Sequence, residues 1–99
     1  MQITDIRISI LKFPKNNLKA FSTIILDDSL VIKDLRIFSN EKGDFVCMPS
    51  IKGVDGSWHE VVTLIDTDLK NQIDNSVIRA YHDELLKLEL KQTKNKDFQ

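Results

Sequence analysis

The sequence predicts an α+β domain, a mainly antiparallel β-sheet of about five strands with one long C-terminal α-helix, and three features carry that prediction. Apolar residues alternate with period two up to about Ile65, turn signals interrupt them at short intervals, and from Leu69 the apolar spacing changes to three and four. Strands first and a helix last, rather than the two alternating, point to α+β. The 99 residues, 41% of them hydrophobic, suffice for one domain with one modest core. The domain is expected over residues 1–91, with a polar tail, 92–99, that frays.

In the opening segment Ile6, Ile8 and Ile10 share one face and Asp5, Arg7 and Ser9 the other, the pattern of a half-buried strand. Phe13-Pro14-Lys15-Asn16-Asn17 breaks the pattern, so a turn is expected there. Leu18 to Leu26 resumes with bulky apolar groups on both faces, Leu18/Ala20/Ser22/Ile24/Leu26 and Lys19/Phe21/Thr23/Ile25. A central strand partly covered on each side would read this way. Asp27-Asp28-Ser29 turns the chain into a third strand, Leu30 to Phe38, in which Val31, Leu35 and Ile37 oppose Asp34 and Arg36. Ser39 to Gly43 closes that hairpin. Phe45 to Met48 is a fourth strand, stopped by Pro49 because proline cannot donate to a ladder. The tight-turn dipeptide Asp55-Gly56 then implies a return along Trp58 to Ile65, with the tip from Ser50 to Ser57 displaying Lys52.

The helix shows one apolar stripe, Leu69, Ile73, Val77, Ile78, Tyr81, Leu85 and Leu88. Asp66 or Thr67 is placed to cap its N-terminus, and Asp68 suits the positive end of its dipole. At roughly 1.5–3 kcal/mol for each large side chain buried, this stripe is the main attachment between helix and sheet. Leu86 and Leu90 fall off the stripe, and a domain this small leaves a sheet edge unpaired. Both features predict a two-fold homodimer.

Fourteen basic against fifteen acidic residues leave a formal charge of −1, so any nucleic-acid contact has to come from a local patch. One cysteine permits no intrachain disulfide, the first residues lack a basic segment followed by an apolar one, and no apolar run approaches the roughly 18 residues of a membrane span. A soluble, cytoplasmic protein without a membrane partner is expected. Cys47, His59 and His82 are too few and too unevenly spaced for a structural zinc site, and three glycines form no phosphate cradle. Cys47 with His59 would make a nucleophile and its base, yet Cys47 lies in an apolar strand, where a thiol behaves as a small hydrophobe. The buried, inert reading is preferred, and His82 reads as a partly exposed surface histidine. No enzymatic activity, metal, cofactor or small-molecule substrate is expected.

Basic residues gather in two places. Lys12, Lys15 and Lys19 have no acidic residue among them, and Lys87, Lys91, Lys94 and Lys96 outnumber Glu89 and Asp97. Either group could meet phosphates, but spacing alone favours a solvated loop and a favourable helix C-terminus.

Residues 18–37, LKAFSTIILDDSLVIKDLRI, then Gly43-Asp44-Phe45-Val46-Cys47-Met48-Pro49-Ser50, closely resemble the stage V sporulation protein G (SpoVG) family. Ile3-Thr4-Asp5-Ile6-Arg7 resembles its opening strand, and Ile73, Val77, Tyr81 and His82 match its C-terminal helix, so the resemblance covers about residues 1–85. It implies a small non-enzymatic, DNA- and RNA-binding regulator of septation, sporulation or gene expression that acts as a homodimer. Family members usually carry Lys or Arg after the M-P-S run and another base beyond the D-G turn. Here Ile51 stands where a base is usual, Lys52 keeps its charge, Val54 replaces a common proline, His59 a common arginine, and Cys47 a common alanine. The nucleic-acid contacts so implied are Lys52 and His59, joined by Lys87, Lys91 and Lys94 at the helix end. With two cations of a small cluster replaced, attraction to phosphates weakens, so the alternative is a dimeric protein-interaction module with weakened nucleic-acid binding.

Overall fold

The computed structural model describes residues 1–97, with side chains described through Leu90. Its elements are β1 (Ile3–Lys15), β2 (Leu18–Leu26), β3 (Leu30–Asn40), β4 (Gly43–Cys47), β5 (Ser50–Lys52), β6 (Trp58–Glu60) and α1 (Thr67–Asp97). β1 to β4 form one antiparallel sheet in chain order, and β5 and β6 form a separate two-stranded ribbon. The α+β class is as expected, and the ribbon brings the strands to six. The long hairpin expected from Phe45 to Ile65 is instead divided. β4 ends at Cys47, and after Met48-Pro49 the chain pairs β5 with β6 rather than returning along β4. Pro49 has no N–H for a ladder, and its carbonyl accepts from the Val61 amide at 2.9 Å. β6 is only three residues long, so 61–65 lead to the helix as irregular chain.

Asn16, Asp27 and Asp28 hold φ of 57°, 52° and 49°. Asn and Asp are the non-glycine residues best suited to that left-handed region. The first turn comes later than expected, because β1 continues through Phe13-Pro14-Lys15 and absorbs the break as a register shift between Ile10 and Lys15. Proline is tolerated there because β1 is an edge strand.

Two bulges redistribute side chains that strict alternation would place otherwise. Between the pairs Ser22↔Leu35 and Ile24↔Ile32 strand β3 has one extra residue, with Asp34 at φ 65°. Ile32 and Leu35 therefore both face the core, and Val31, expected inside, is exposed. At the other end, between Leu18↔Phe38 and Ala20↔Ile37, the extra residue lies in β2. That bulge takes Leu18 off the face it was expected to share with Ala20.

The inner face of the sheet, with Ala20, Ile24, Leu26, Leu35 and Ile37, meets Ile73 and Val77 of the helix in a core from which solvent is excluded. Ser22, the buried polar residue of this face, donates to the Arg7 carbonyl at 3.1 Å. Asp66 is the helix cap, its Oδ1 accepting from the amides of Asp68 at 3.0 Å and Leu69 at 3.2 Å. The stripe is buried at Leu69, Ile73, Val77 and Tyr81 and half-buried at Ile78 and Leu85, whereas Leu88 is exposed. A helix of 31 residues is about 46 Å long, more than the nine-residue β2 can cover. The tail expected over 92–99 reaches beyond the residues whose side chains are described.

Candidate nucleic-acid interface

Because side chains alternate along a strand, the residues between the core positions of β3 and β4 emerge on the opposite face of the sheet. Arg36 and Phe38 of β3 stand there across from Cys47 and Phe45 of β4. The Phe38 and Phe45 rings stack with centroids 5.3 Å apart and planes at 17°. The ribbon lies against this outer face, where the Arg36 guanidinium carbon sits 5.3 Å from the centre of the Trp58 ring. Trp58 is nevertheless 63% exposed, so much of its indole is open to solvent. Between ribbon and sheet runs an open cleft of about 540 Å³ lined by Lys15, Leu18, Arg36, Phe38, Cys47 and Trp58, among others.

The ribbon register decides which expected contacts can act together. Lys52 pairs with Trp58 and Ile51 with His59, so Lys52 shares the Trp58 side of the ribbon while Ile51 and His59 emerge on the other. Lys52 is exposed, and among the described residues no carboxylate pairs with it. His59 is engaged locally: its Nε2 lies 3.2 Å from Asp55 Oδ1 and 3.0 Å from Ser57 Oγ. Ser57 also donates to Asp55 through its hydroxyl at 2.8 Å and its amide at 3.1 Å. These donors, Ser57 first and His59 next, hold the Asp55 carboxyl below its ordinary range. Gly53 belongs to the same knot, because a Cβ there would lie 2.7 Å from the His59 ring.

Lys87 stands on the helix, on the opposite side of the sheet from the ribbon. Its Nζ is 3.4 Å from Glu84 Oε1, and with Ile6, Arg7 and Ala80 it lines a separate groove between β1 and α1. The structure therefore does not bring Lys52 and Lys87 to one side. The side chains of Lys91 and Lys94 lie outside the described residues. Lys15 borders the cleft, whereas Lys12 is simply exposed. Cys47 is half-buried on the cleft wall rather than in the core, and burial raises its thiol pKa, which keeps it protonated at neutral pH. His82 is half-exposed but not free: its Nε2 lies 2.5 Å from Asp44 Oδ2, tying α1 to β4. Arg36 and Trp58 were not expected contacts. Arg36 could have been found from its alternation with the core residues Leu35 and Ile37, but the placement of Trp58 depends on the ribbon folding back. Among the described residues no three His, Cys, Asp or Glu side chains are grouped to hold a metal ion, and no helix is long and apolar enough to cross a membrane.

Comparison with known proteins agrees with the resemblance seen in the sequence. The SpoVG family model matches residues 1–83. A protein of Acholeplasma laidlawii named "Putative septation protein SpoVG" is 36% identical over 85 residues, which cover 86% of this chain and 89% of that one. Proteins of the same name from Finegoldia magna and Agathobacter rectalis are 36% and 35% identical, covering 88% and 86% of this chain and 80% and 97% of theirs.

Proposed function

The chain belongs to the SpoVG family, and from that premise we propose that it is a non-enzymatic regulator that binds DNA or RNA as a cytoplasmic homodimer and acts on septation, sporulation or gene expression. The carrying observation is Lys52, exposed and unpaired by any described carboxylate, on the same side of the ribbon as Trp58 and Arg36. Cations beside an open aromatic ring suit a polyanion whose bases can stack. The net charge of −1 makes this local grouping the source of attraction.

Anisotropy of labelled oligonucleotides across a salt series tests the reading. Lys52→Glu should weaken binding to all sequences alike, by about threefold to tenfold, and lower the salt slope by roughly one unit for each phosphate no longer neutralised. Ile51→Lys, which adds a cation on the other side of the ribbon, should strengthen binding. Equal affinities for the three proteins would remove the ribbon from the site.

The dimer is supported by exposed Leu86 and Leu90 on α1 and by β1 and β4 as open sheet edges. Light scattering after size exclusion should give twice the 11.4 kDa chain mass. A monomer mass at micromolar concentration would refute the dimer. A second reading, a protein-interaction module, is favoured by the apolar Ile51 and Val54, both exposed on the ribbon. It would be adopted if no oligonucleotide binds.

A further inference from the structure

We propose that the cleft between the β5–β6 ribbon and the outer face of the sheet takes an unpaired nucleotide strand, with a base stacked on Trp58 and the flanking phosphates on Lys15, Arg36 and Lys52. The inference rests on the nucleic-acid reading above and specifies which form of nucleic acid this site takes. Three observations converge on it. At about 540 Å³ the cleft falls within the range of small-ligand sites, roughly 300–1,000 Å³. Its cationic lining residues are Lys15 and Arg36, and among the described residues no acidic one lines it. Glu60, on the same side of the ribbon, is a carboxylate beside the cleft: its Oε2 accepts from the Thr63 hydroxyl at 3.2 Å and keeps its charge, which the cations on the rim outnumber. Its apolar wall is aromatic at Phe38 and Trp58, and the indole, held by the Arg36 guanidinium, is still largely exposed.

That combination selects for single strands. Inside a duplex the faces of the bases are already stacked on one another, so an aromatic platform gains nothing from them. An unpaired base offers its π-face to an indole or a guanidinium whatever its identity. The cations on the rim hold the backbone without reading sequence. A second copy of this chain, meeting the cleft by the same face across a two-fold axis, would bring Lys15, Arg36 and Lys52 toward their own like charges. Charge complementarity therefore favours the polyanion.

The chain has one tryptophan, so its fluorescence reports on this cleft alone. Intact protein would be titrated with single-stranded RNA and DNA oligonucleotides of about ten residues, and with blunt duplexes of the same sequence. Single strands should change Trp58 emission saturably and duplexes should not. Trp58→Ala should lower single-strand affinity about tenfold or more and duplex affinity far less, and Trp58→Phe should retain part of the single-strand binding. Because Trp58 is exposed, circular dichroism of both variants should match the parent protein. Single-strand binding that leaves the indole emission unchanged and survives Trp58→Ala would overturn the cleft while leaving nucleic-acid binding in place. Absence of binding to any strand or duplex would overturn both readings. An emission change that follows protein concentration without nucleic acid would assign the face to a second copy and overturn the proposal.

Discussion

Replacing Ile73 with alanine should lower the unfolding free energy by about 2–5 kcal/mol, the range for deleting a large aliphatic side chain from a packed core. Ile73 is fully buried, in the core shared by α1 and the inner face of the sheet. A domain of this size has about 5–15 kcal/mol in total, so the loss is a large fraction of its stability. Thermal melts should show a fall of at least about 8 °C, and urea melts a lower midpoint with an unchanged slope. Ile73→Val, which removes one methylene, should cost only about 0.5–1.5 kcal/mol. A loss below about 1 kcal/mol for the alanine variant would mean that the helix is not seated on the sheet as described.

Asp44→Ala should be the next most damaging change, at about 2 kcal/mol near neutral pH. It removes the contact at 2.5 Å between Asp44 and His82, which joins residues 38 positions apart, together with the Ser39 hydrogen bond. Charge-assisted hydrogen bonds contribute about 1.5–3 kcal/mol each, and the half-exposure of His82 reduces the sum. The Ser39 hydrogen bond, then His82, hold the Asp44 carboxyl below its ordinary value of 3.8 in the folded protein. As pH falls, the unfolded chain takes up this proton first. The stabilisation is therefore complete above about pH 4 and disappears as pH drops through the lowered folded value. Stability curves of wild type and Asp44→Ala should accordingly lie apart at pH 7 and converge in acid. A constant gap between them down to about pH 2 would sink this assignment. His82→Ala should reproduce only part of the loss, because Ser39 remains with Asp44.

The period change at Leu69 was enough to place the helix, because burial at Leu69, Ile73, Val77 and Tyr81 follows from the 3.6-residue repeat of the helix itself. Bulky apolar groups on both faces likewise made β2 recognisable as a central strand, and the Asn and Asp turn residues marked the hairpins because few other side chains tolerate positive φ. Family membership was legible in the run from Leu18 to Ile37 and in F-V-C-M-P-S, since both are local strings. The faces of individual residues were not. Whether Val31 or Ile32 points inward depends on a bulge at Asp34, and a bulge exists only relative to the partner strand it is out of step with. The same reason hid the position of Leu18. Lys52 and His59 stand seven positions apart with no signal of which side each takes, until the pairing Lys52↔Trp58 and Ile51↔His59 sends them to opposite sides of the ribbon. Sequence therefore determined the four strands of the main sheet, the helix with its core stripe, and the family, because these depend on each segment's own periodicity and strings. Only the tertiary structure decided that Arg36, Trp58 and Lys15 share one cleft, because their meeting depends on the ribbon folding back over a sheet face that no single segment encodes.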